Sequence, residues 1–136
     1  MIECWRWFGP EDPTKLSDLP QVGAAGVVTA LHDYTPGAQW PEQDIVARKA
    51  MIEAAGLKWE VVESLPVSEE IKIQGPDMMA HLRSYIASME ALARHGVHTI
   101  CYNFMPILDW TRTNMRAQQP HGGSAMQFDL VDFAAF

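Results

Sequence analysis

Three polar side chains, those of Asn103, Asp109 and Arg112, follow an apolar run at residues 97–102. They carry an amide, a carboxylate and a guanidinium group. Residues 97–102 are β-branched and aromatic and come after a glycine, a composition that predicts one buried strand. In parallel α/β folds the loops after the strands carry the chemistry, because helices and strand interiors are committed to packing. We therefore predict that Asn103, Asp109 and Arg112 face a ligand. The alternative is that Asn103 and Asp109 shape a turn and that Arg112 is solvated.

Three earlier segments with the composition of strands also deliver polar side chains. The first alternates polar with large apolar residues, the second is apolar enough to be buried on both faces, and the third ends at a carboxylate. For each delivered residue the alternative role is packing or loop architecture. The candidates are Arg6 and Trp7 within residues 3–8, His32 after residues 27–31, and Glu63 after residues 57–62.

Helices are predicted between these strands. A short helix over residues 15–25 is weakened by Pro20 and Gly23, and a second helix runs from Pro41 to about Ala55. Residues 64–76 are predicted to form a loop. The next helix has the clearest period in the chain, an apolar stripe that we interpret as core packing: Met78, Leu82, Tyr85, Ile86, Met89 and Leu92.

The junctions between helices and strands repeat. Residues 24–26, 54–56 and 94–96 each end a predicted helix, finish in glycine and open a strand. This repetition predicts consecutive βα units and therefore a parallel sheet, because parallel strands need a crossover connection.

Two architectures use such units, a doubly wound open sheet and a (β/α)8 barrel. No GxGxxG or phosphate-binding loop follows any predicted strand, so dinucleotide binding has no support. A complete barrel takes about 250 residues. A chain of 136 residues is therefore expected to supply about half a barrel, the first four βα units, as a single partial domain over residues 1–136.

Composition limits the classes of partner. With 48% hydrophobic and 20% charged residues the chain fits one soluble domain, and its net charge of −7 disfavours a nucleic-acid surface but leaves a small-molecule site open. No apolar stretch approaches the roughly 18 residues of a membrane span or resembles a signal peptide, which favours a cytoplasmic protein. Cys4 and Cys101 lack CxxC spacing and are predicted to be reduced, buried thiols.

Four blocks of this sequence closely resemble the mannonate dehydratase family. They are residues 5–10 (WRWFGP), 26–32 (GVVTALH), 61–64 (VVES) and 101–113 (CYNFMPILDWTRT). The resemblance extends over essentially the whole chain, whereas the family's chain continues far beyond Phe136. It implies a TIM barrel of the xylose isomerase type, of which this chain is the N-terminal part.

The resemblance also implies a reaction and a cofactor. The family dehydrates D-mannonate to 2-keto-3-deoxy-D-gluconate and water in hexuronate (glucuronate) catabolism, and it uses Mn²⁺ or Fe²⁺. A base must remove the C2 proton, a positive group must hold the carboxylate, and an acid must protonate the departing C3 hydroxyl. The family's His, Cys and carboxylate metal ligands match no residue here and are expected beyond Phe136. His81, His95 and His98 are not spaced along the sequence as metal ligands would be, and they are expected to be structural or solvated.

By their chemistry the candidate residues divide into two groups. Arg6 or Arg112 suits a substrate carboxylate through a bidentate pair, and sugar hydroxyls suit His32, Asn103 and Glu63. Trp5, Trp7 and Trp110 are candidates for the walls of the site. Resemblance alone assigns no role to any of these residues, and the base and acid stay unidentified.

Two other functions stay open at this point: a sugar isomerase or epimerase of the xylose isomerase type, and a catalytically silent half-barrel remnant or binding module. The chain alone is expected to be inactive. It is also expected to form homo-oligomers, because open parallel edges invite pairing with other chains.

Overall fold

The computed structural model describes residues 1–106 and 110–135. The chain divides into two compact units, Met1–Phe104 and Met105–Phe136. Each unit is described by itself. In the described part of the chain, no helix combines the length and the apolar character needed to cross a membrane.

The first unit is built on a parallel sheet. Its four strands lie side by side in the order in which they occur along the chain, and every neighbouring pair is parallel. This confirms the parallel sheet predicted from the repeated junctions, and the order shows no reversal among the four. The strands are β1 (Cys4–Arg6), β2 (Gly26–Thr29), β3 (Lys58–Glu63) and β4 (Thr99–Cys101).

Helical segments connect these strands. The short helix predicted over residues 15–25 is present as a 3₁₀ helix, Leu16–Val22, which contains Pro20 and ends at Gly23 with φ 83°. Proline lacks the amide hydrogen that an α-helical turn needs, and glycine readily adopts the left-handed conformation. The other connections are α1 (Glu42–Ala54), a short helix α2 (Glu69–Lys72) inside the predicted loop, and α3 (Met78–Arg94).

The core lies between the sheet and the helices. Val27 and Val62 from the central strands are fully buried, as are Ile45 and Ile52 from α1 and Leu92 from α3. Burial of each of these side chains contributes about 1.5–3 kcal/mol to the hydrophobic stabilisation of the fold. The central strands β2 and β3 are thereby fixed against α1 and α3, and their carboxyl ends are held in place.

The predicted apolar stripe of α3 is mostly not core. Only Leu92 of its six members is buried, and the buried residues beside it are the small Ser88 and Ala91. The Ser88 hydroxyl accepts a hydrogen bond of 2.9 Å from the amide of Trp40. A small side chain is needed here because the loop before α1 packs closely against α3, so the helix turns a different face to the core.

The cysteines also differ from the prediction. Cys4 and Cys101 are free thiols, as predicted, but both are exposed. They lie on the outer strands β1 and β4, and among the described residues no further strand pairs with these two strands on their outer sides. The predicted burial assumed strands covered on both sides, which β1 and β4 are not.

The second unit contains an antiparallel hairpin that the sequence reasoning did not predict. Strands β5 (Asn114–Gln118) and β6 (Ser124–Gln127) pair with each other, and the short helix α4 (Leu130–Ala134) follows them. Asp129 caps α4, because its carboxylate accepts hydrogen bonds from the amides of Val131 and Asp132 at 2.8 and 3.2 Å.

Candidate functional site

Arg6 lies at the end of β1 and reaches across the sheet. Its Nη1 donates a hydrogen bond to the main-chain carbonyl of Glu63 at the end of β3. Because β2 lies between β1 and β3 in the sheet, this side chain passes over the carboxyl end of β2. A guanidinium has five N–H donors, so one bond to a carbonyl leaves most of its donors for a ligand.

His32 follows β2 and shares a neighbour with Arg6. The ring centroid of His32 is 6.0 Å from that of Phe8, and the guanidinium carbon of Arg6 is 4.8 Å from the same Phe8 ring. Phe8 is 60% exposed, so this aromatic surface faces outward. Two of the predicted site residues, Arg6 and His32, therefore lie close to one exposed ring at the carboxyl end of the sheet.

Asp12 fixes the loop that carries Phe8. Its carboxylate accepts hydrogen bonds from the amide of Phe8 at 2.7 Å and from the amide of Thr14 at 2.8 Å. These backbone hydrogen bonds lower the pKa of Asp12, because they favour its charged form. The loop is thus held by an ionised carboxylate at neutral pH, and Phe8 keeps its position beside Arg6 and His32.

Arg48 is the residue of this region that the sequence reasoning missed. It lies on α1, is 7% exposed and donates from Nη1 to the carbonyl of Ala30 at 2.8 Å. Its guanidinium carbon is 5.3 Å from the Trp7 ring. The signal was present in the sequence, because Arg48 falls between Ile45 and Ile52 on the buried face of α1, where a cation needs a partner.

Trp7 lies beneath the site. Its side chain is 3% exposed, and its indole N–H donates to the carbonyl of Thr14 at 3.1 Å. A direct contact of Trp7 with a ligand was predicted, and this burial disfavours it. The indole instead supports the guanidinium of Arg48 from below, a cation–π arrangement.

The charges around His32 favour its neutral form. His32 is exposed, but partial desolvation of its ring is still the largest cause that lowers its pKa. The positive charges of Arg6 and Arg48 follow, while Asp33 and Asp12 oppose the shift. The ordinary value for this group is 6.5, so His32 is uncharged at neutral pH. A neutral imidazole can accept a hydrogen bond at one nitrogen and donate one at the other.

The remaining predicted residues are distributed differently. The side chain of Glu63 is exposed at the end of β3, and Asn103 is half-buried on the loop after β4 in the same unit. Arg112 belongs to the second unit, where it donates to the carbonyl of Thr111 at 2.8 Å and its guanidinium carbon is 5.1 Å from the Trp110 ring. Asp109 lies outside the described residues. The ligand contacts of all of these residues stay predictions.

The strand ends do not fit a divalent metal. No group of three or more His, Cys, Asp or Glu residues within residues 1–106 and 110–135 is arranged to hold an ion. The side chains that meet at the end of β1 and β2 are instead an arginine and a neutral histidine above a second, buried arginine. Positive charge with hydrogen-bond donors fits an anion such as a carboxylate.

A separate apolar groove of about 380 Å³ lies between α2, α3 and β4. Three members of the α3 stripe line it, the half-buried Leu82 and Tyr85 and the exposed Met89, which accounts for the apolar period of this helix. The groove lacks the charged groups of the strand ends and is therefore a packing surface rather than a reactive site. It is lined by Val67, Ile71, Leu82, Tyr85, Met89, Ile100, Tyr102 and Phe104.

Comparison with known proteins agrees with the resemblance seen in the sequence. Residues 1–134 match the family described as D-mannonate dehydratase (UxuA). The chain is 51% identical over its 136 residues to mannonate dehydratase 1 of Agrobacterium fabrum and 52% identical to a mannonate dehydratase of Marinomonas sp.. All of this chain is covered in both cases, but only 34% and 35% of the two relatives.

A solved structure is similar over the whole chain. The crystal structure of mannonate dehydratase from Streptococcus suis serotype 2 matches with a TM-score of 0.93 and 37% identity, and the match covers 100% of this chain and 39% of that one. The chain therefore spans about a third of the length of the relatives that it matches.

Proposed function

This chain belongs to the D-mannonate dehydratase family, and from that premise we propose that it forms the first part of a hydro-lyase that converts D-mannonate to 2-keto-3-deoxy-D-gluconate and water. In this β-elimination the C2–H bond breaks and its electrons form the C2=C3 double bond. The hydroxyl leaves C3 as water after protonation, and the resulting enol tautomerises to the keto acid. Negative charge grows on the C1 carboxylate side as the C2 proton leaves.

One observation carries the role proposed for this chain: Arg6, Phe8 and His32 meet at the carboxyl end of the sheet. We propose that Arg6 binds the substrate carboxylate with the N–H groups that remain beside its bond to the Glu63 carbonyl. That bond fixes the guanidinium plane, so little side-chain entropy is lost on binding. Charge developing at C2 then lies near a fixed cation.

His32 is proposed to bind a sugar hydroxyl. It is uncharged at neutral pH, so one ring nitrogen can accept a hydroxyl proton in a hydrogen bond without first losing its own. Glu63 and Asn103 are proposed to bind further hydroxyls from the ends of β3 and β4. Phe8 offers an exposed face between Arg6 and His32 against which the carbon chain of the sugar acid can pack.

We propose that the four strands are the start of a (β/α)8 barrel. A doubly wound sheet reverses its strand order at a switch point, whereas the order β1-β2-β3-β4 runs in one direction. The apolar groove beside β4 has the lining that a following βα unit would cover. Both observations favour a barrel over an open doubly wound sheet.

The cofactor and the cellular context are proposals from family membership. The family's Mn²⁺ or Fe²⁺ would act as a Lewis acid. Because the described residues offer no fitting ligand set, we place its ligands outside residues 1–136 and assign it no step here. Function in hexuronate catabolism, a cytoplasmic location and a homo-oligomeric state are proposed on the same ground.

A chimera tests the proposed function. Residues 1–136 of this chain replace the matching part of Agrobacterium fabrum mannonate dehydratase 1, which is 51% identical there. We expect the metal-supplemented chimera to release the keto-deoxy acid from D-mannonate, and the same chimera with Arg6→Gln to lose most of this activity. A sugar product with the mass of the substrate would favour the isomerase or epimerase. A chimera that unfolds cooperatively but has no turnover would favour the non-catalytic remnant.

A further inference from the structure

Arg48 is buried and makes specific contacts, but it has no role in the function proposed above. Its guanidinium is almost completely withdrawn from water, which is costly unless the group is paired and hydrogen-bonded. The contacts that compensate for this burial are the carbonyl of Ala30 and the face of Trp7. Both contacts lie directly under the loops that carry Phe8 and His32.

The bond to Ala30 fixes the point at which β2 ends. Ala30 immediately follows β2, and its carbonyl accepts from Nη1 of Arg48 at 2.8 Å. His32 is two residues further along. Arg48 belongs to α1, and Ile45 and Ile52 of the same helix are buried in the core. This single hydrogen bond therefore connects the end of β2 to a helix that is fixed by its packing.

Gly9 brings Arg48 and His32 to the same place. A Cβ atom built on Gly9 would be 3.3 Å from Nη1 of Arg48 and 3.6 Å from Nδ1 of His32. Gly9 also has φ +98°, a conformation that favours glycine. The main chain at Gly9 therefore lies against both groups, and the absence of a side chain there lets the buried cation and the imidazole share one small space.

We propose that Arg48 is a positioning residue of the sugar-acid site: it holds the exit of β2 through the Ala30 carbonyl and keeps a fixed positive charge beside His32. This inference rests on the function proposed for His32. A guanidinium suits the role because it stays charged even when it is buried. A lysine there would keep the charge with fewer donors, and an uncharged residue would lose it.

Charged groups from each neighbouring element act on His32. Arg6 comes from β1 and Arg48 from α1, and both disfavour a proton on the ring. Asp12, from the loop after β1, and Asp33, from the loop of His32 itself, favour one. Of these four groups only Arg48 is buried, and Arg6 lowers the pKa of His32 more than Arg48 does.

The test follows the titration of His32 in the chain of residues 1–136 by NMR, with His32→Gln to assign its ring signals. Arg48→Gln keeps a donor for the Ala30 carbonyl but removes the charge, and Arg48→Lys keeps the charge. Arg83→Gln, at an exposed position of α3, is the matched control. We expect the titration midpoint of His32 to move to higher pH in Arg48→Gln and to stay near its original value in Arg48→Lys and Arg83→Gln.

Two results would overturn the inference. The first is an unchanged His32 midpoint in a folded Arg48→Gln variant whose melting temperature has fallen by several degrees, which would leave Arg48 a purely structural role. The second needs no variant: it is a midpoint of His32 in the unmodified chain that lies at or above the midpoint of the same histidine in the urea-unfolded chain. Neither readout depends on dehydration, so failure of the chimera would contradict the proposed function separately.

Discussion

The guanidinium of Arg6 donates a hydrogen bond to the main-chain carbonyl of Glu63, 57 residues further along the chain. The two residues end β1 and β3, which lie on opposite sides of β2 in the sheet. One side chain thus fixes the distance between two strand exits. The same side chain lies beside the Phe8 ring, which His32 also contacts, so a single residue joins the ends of β1 and β3 to the proposed substrate site.

Replacing Arg6 with lysine in the chimera should impair substrate binding. Lysine keeps the positive charge but loses the planar fork that grips a carboxylate through two bonds, a loss of about 2 kcal/mol in transition-state binding. A loss of this size corresponds to a fall of about 30-fold in kcat/KM for D-mannonate, which is the result we expect. Arg83→Lys, on the exposed side of α3, is the control and should change kcat/KM little. Equal kinetics for the two variants would show that Arg6 does not bind the carboxylate.

The sequence was informative where local chemistry decides the structure. Gly56 and Gly96, with φ of 75° and 80°, end their helices as the repeated junctions predicted, and the parallel sheet follows from them. Apolar periodicity was less reliable, because it cannot tell whether the surface that a stripe faces is covered. The apolar stripe of α3 was therefore interpreted as core packing, although Met89 is 40% exposed in a groove.

The candidate site was foreseen only in part. Arg6 was predicted as a polar residue within the first strand segment and His32 because it follows the second, and the structure places both near Phe8. Arg48 was missed, because a search for polar residues at strand ends ignores the buried face of a helix. Its partner, the Ala30 carbonyl, is a main-chain atom, which no pattern of side chains can reveal.

Stability should depend on pH through His32. The pKa of this group is lower in the folded chain than its ordinary value of 6.5, chiefly because of the partial desolvation of its ring and then the charges of Arg6 and Arg48. The unfolded chain therefore binds a proton more readily, and stability falls as the pH drops below about 6.5. We expect the urea midpoint to decrease between pH 7 and pH 5 and this decrease to be smaller in His32→Gln. An identical slope in that variant would contradict the environment described for His32.

Glu42 should control stability at lower pH. Its carboxylate at the start of α1 accepts from Arg94 at 2.7 Å and contacts His95 Nε2 at 2.8 Å at the end of α3. These hydrogen bonds, that from Arg94 being the larger cause, lower the pKa of Glu42 from 4.5 to about 2. Its contribution is present above about 4.5 and is lost as the pH falls through about 2.

The test is acid unfolding of Glu42→Gln. We expect a lower melting temperature at pH 6 and a weaker dependence of stability on pH between about 4.5 and 2. Glu11→Gln, at an exposed residue before the 3₁₀ helix, is the control. A variant of Glu42 that melts like this control at every pH would show that the contact between α1 and α3 contributes nothing measurable.

The chain alone should self-associate through uncovered surfaces. The sheet ends at β1 and β4 within the described residues, and the apolar groove lies beside β4. Met89→Glu places a charge in this groove and should reduce the mass measured by light scattering. Met79→Glu, on the same helix but not among the groove residues, is the control. A monodisperse monomer with cooperative unfolding in the unmodified chain would show instead that the four strands are self-sufficient.

Arg6 and Arg112 were equal candidates for the substrate carboxylate, and a comparison of the two in the chimera should separate them. Arg6 lies beside Phe8, which also contacts His32, whereas within the described residues the contacts given for Arg112 are local, to the Trp110 ring and the Thr111 carbonyl. Because Arg112→Lys keeps the charge and can keep a bond to one carbonyl, we expect it to lower kcat/KM by less than Arg6→Lys does. Asp109→Asn, at the neighbouring predicted position, should affect turnover more than melting temperature if the loop orders the substrate. A greater loss of kcat/KM in Arg112→Lys than in Arg6→Lys, at unchanged melting temperature, would show that Arg112 binds the substrate carboxylate. Arg6 would then have only the structural role of connecting β1 and β3.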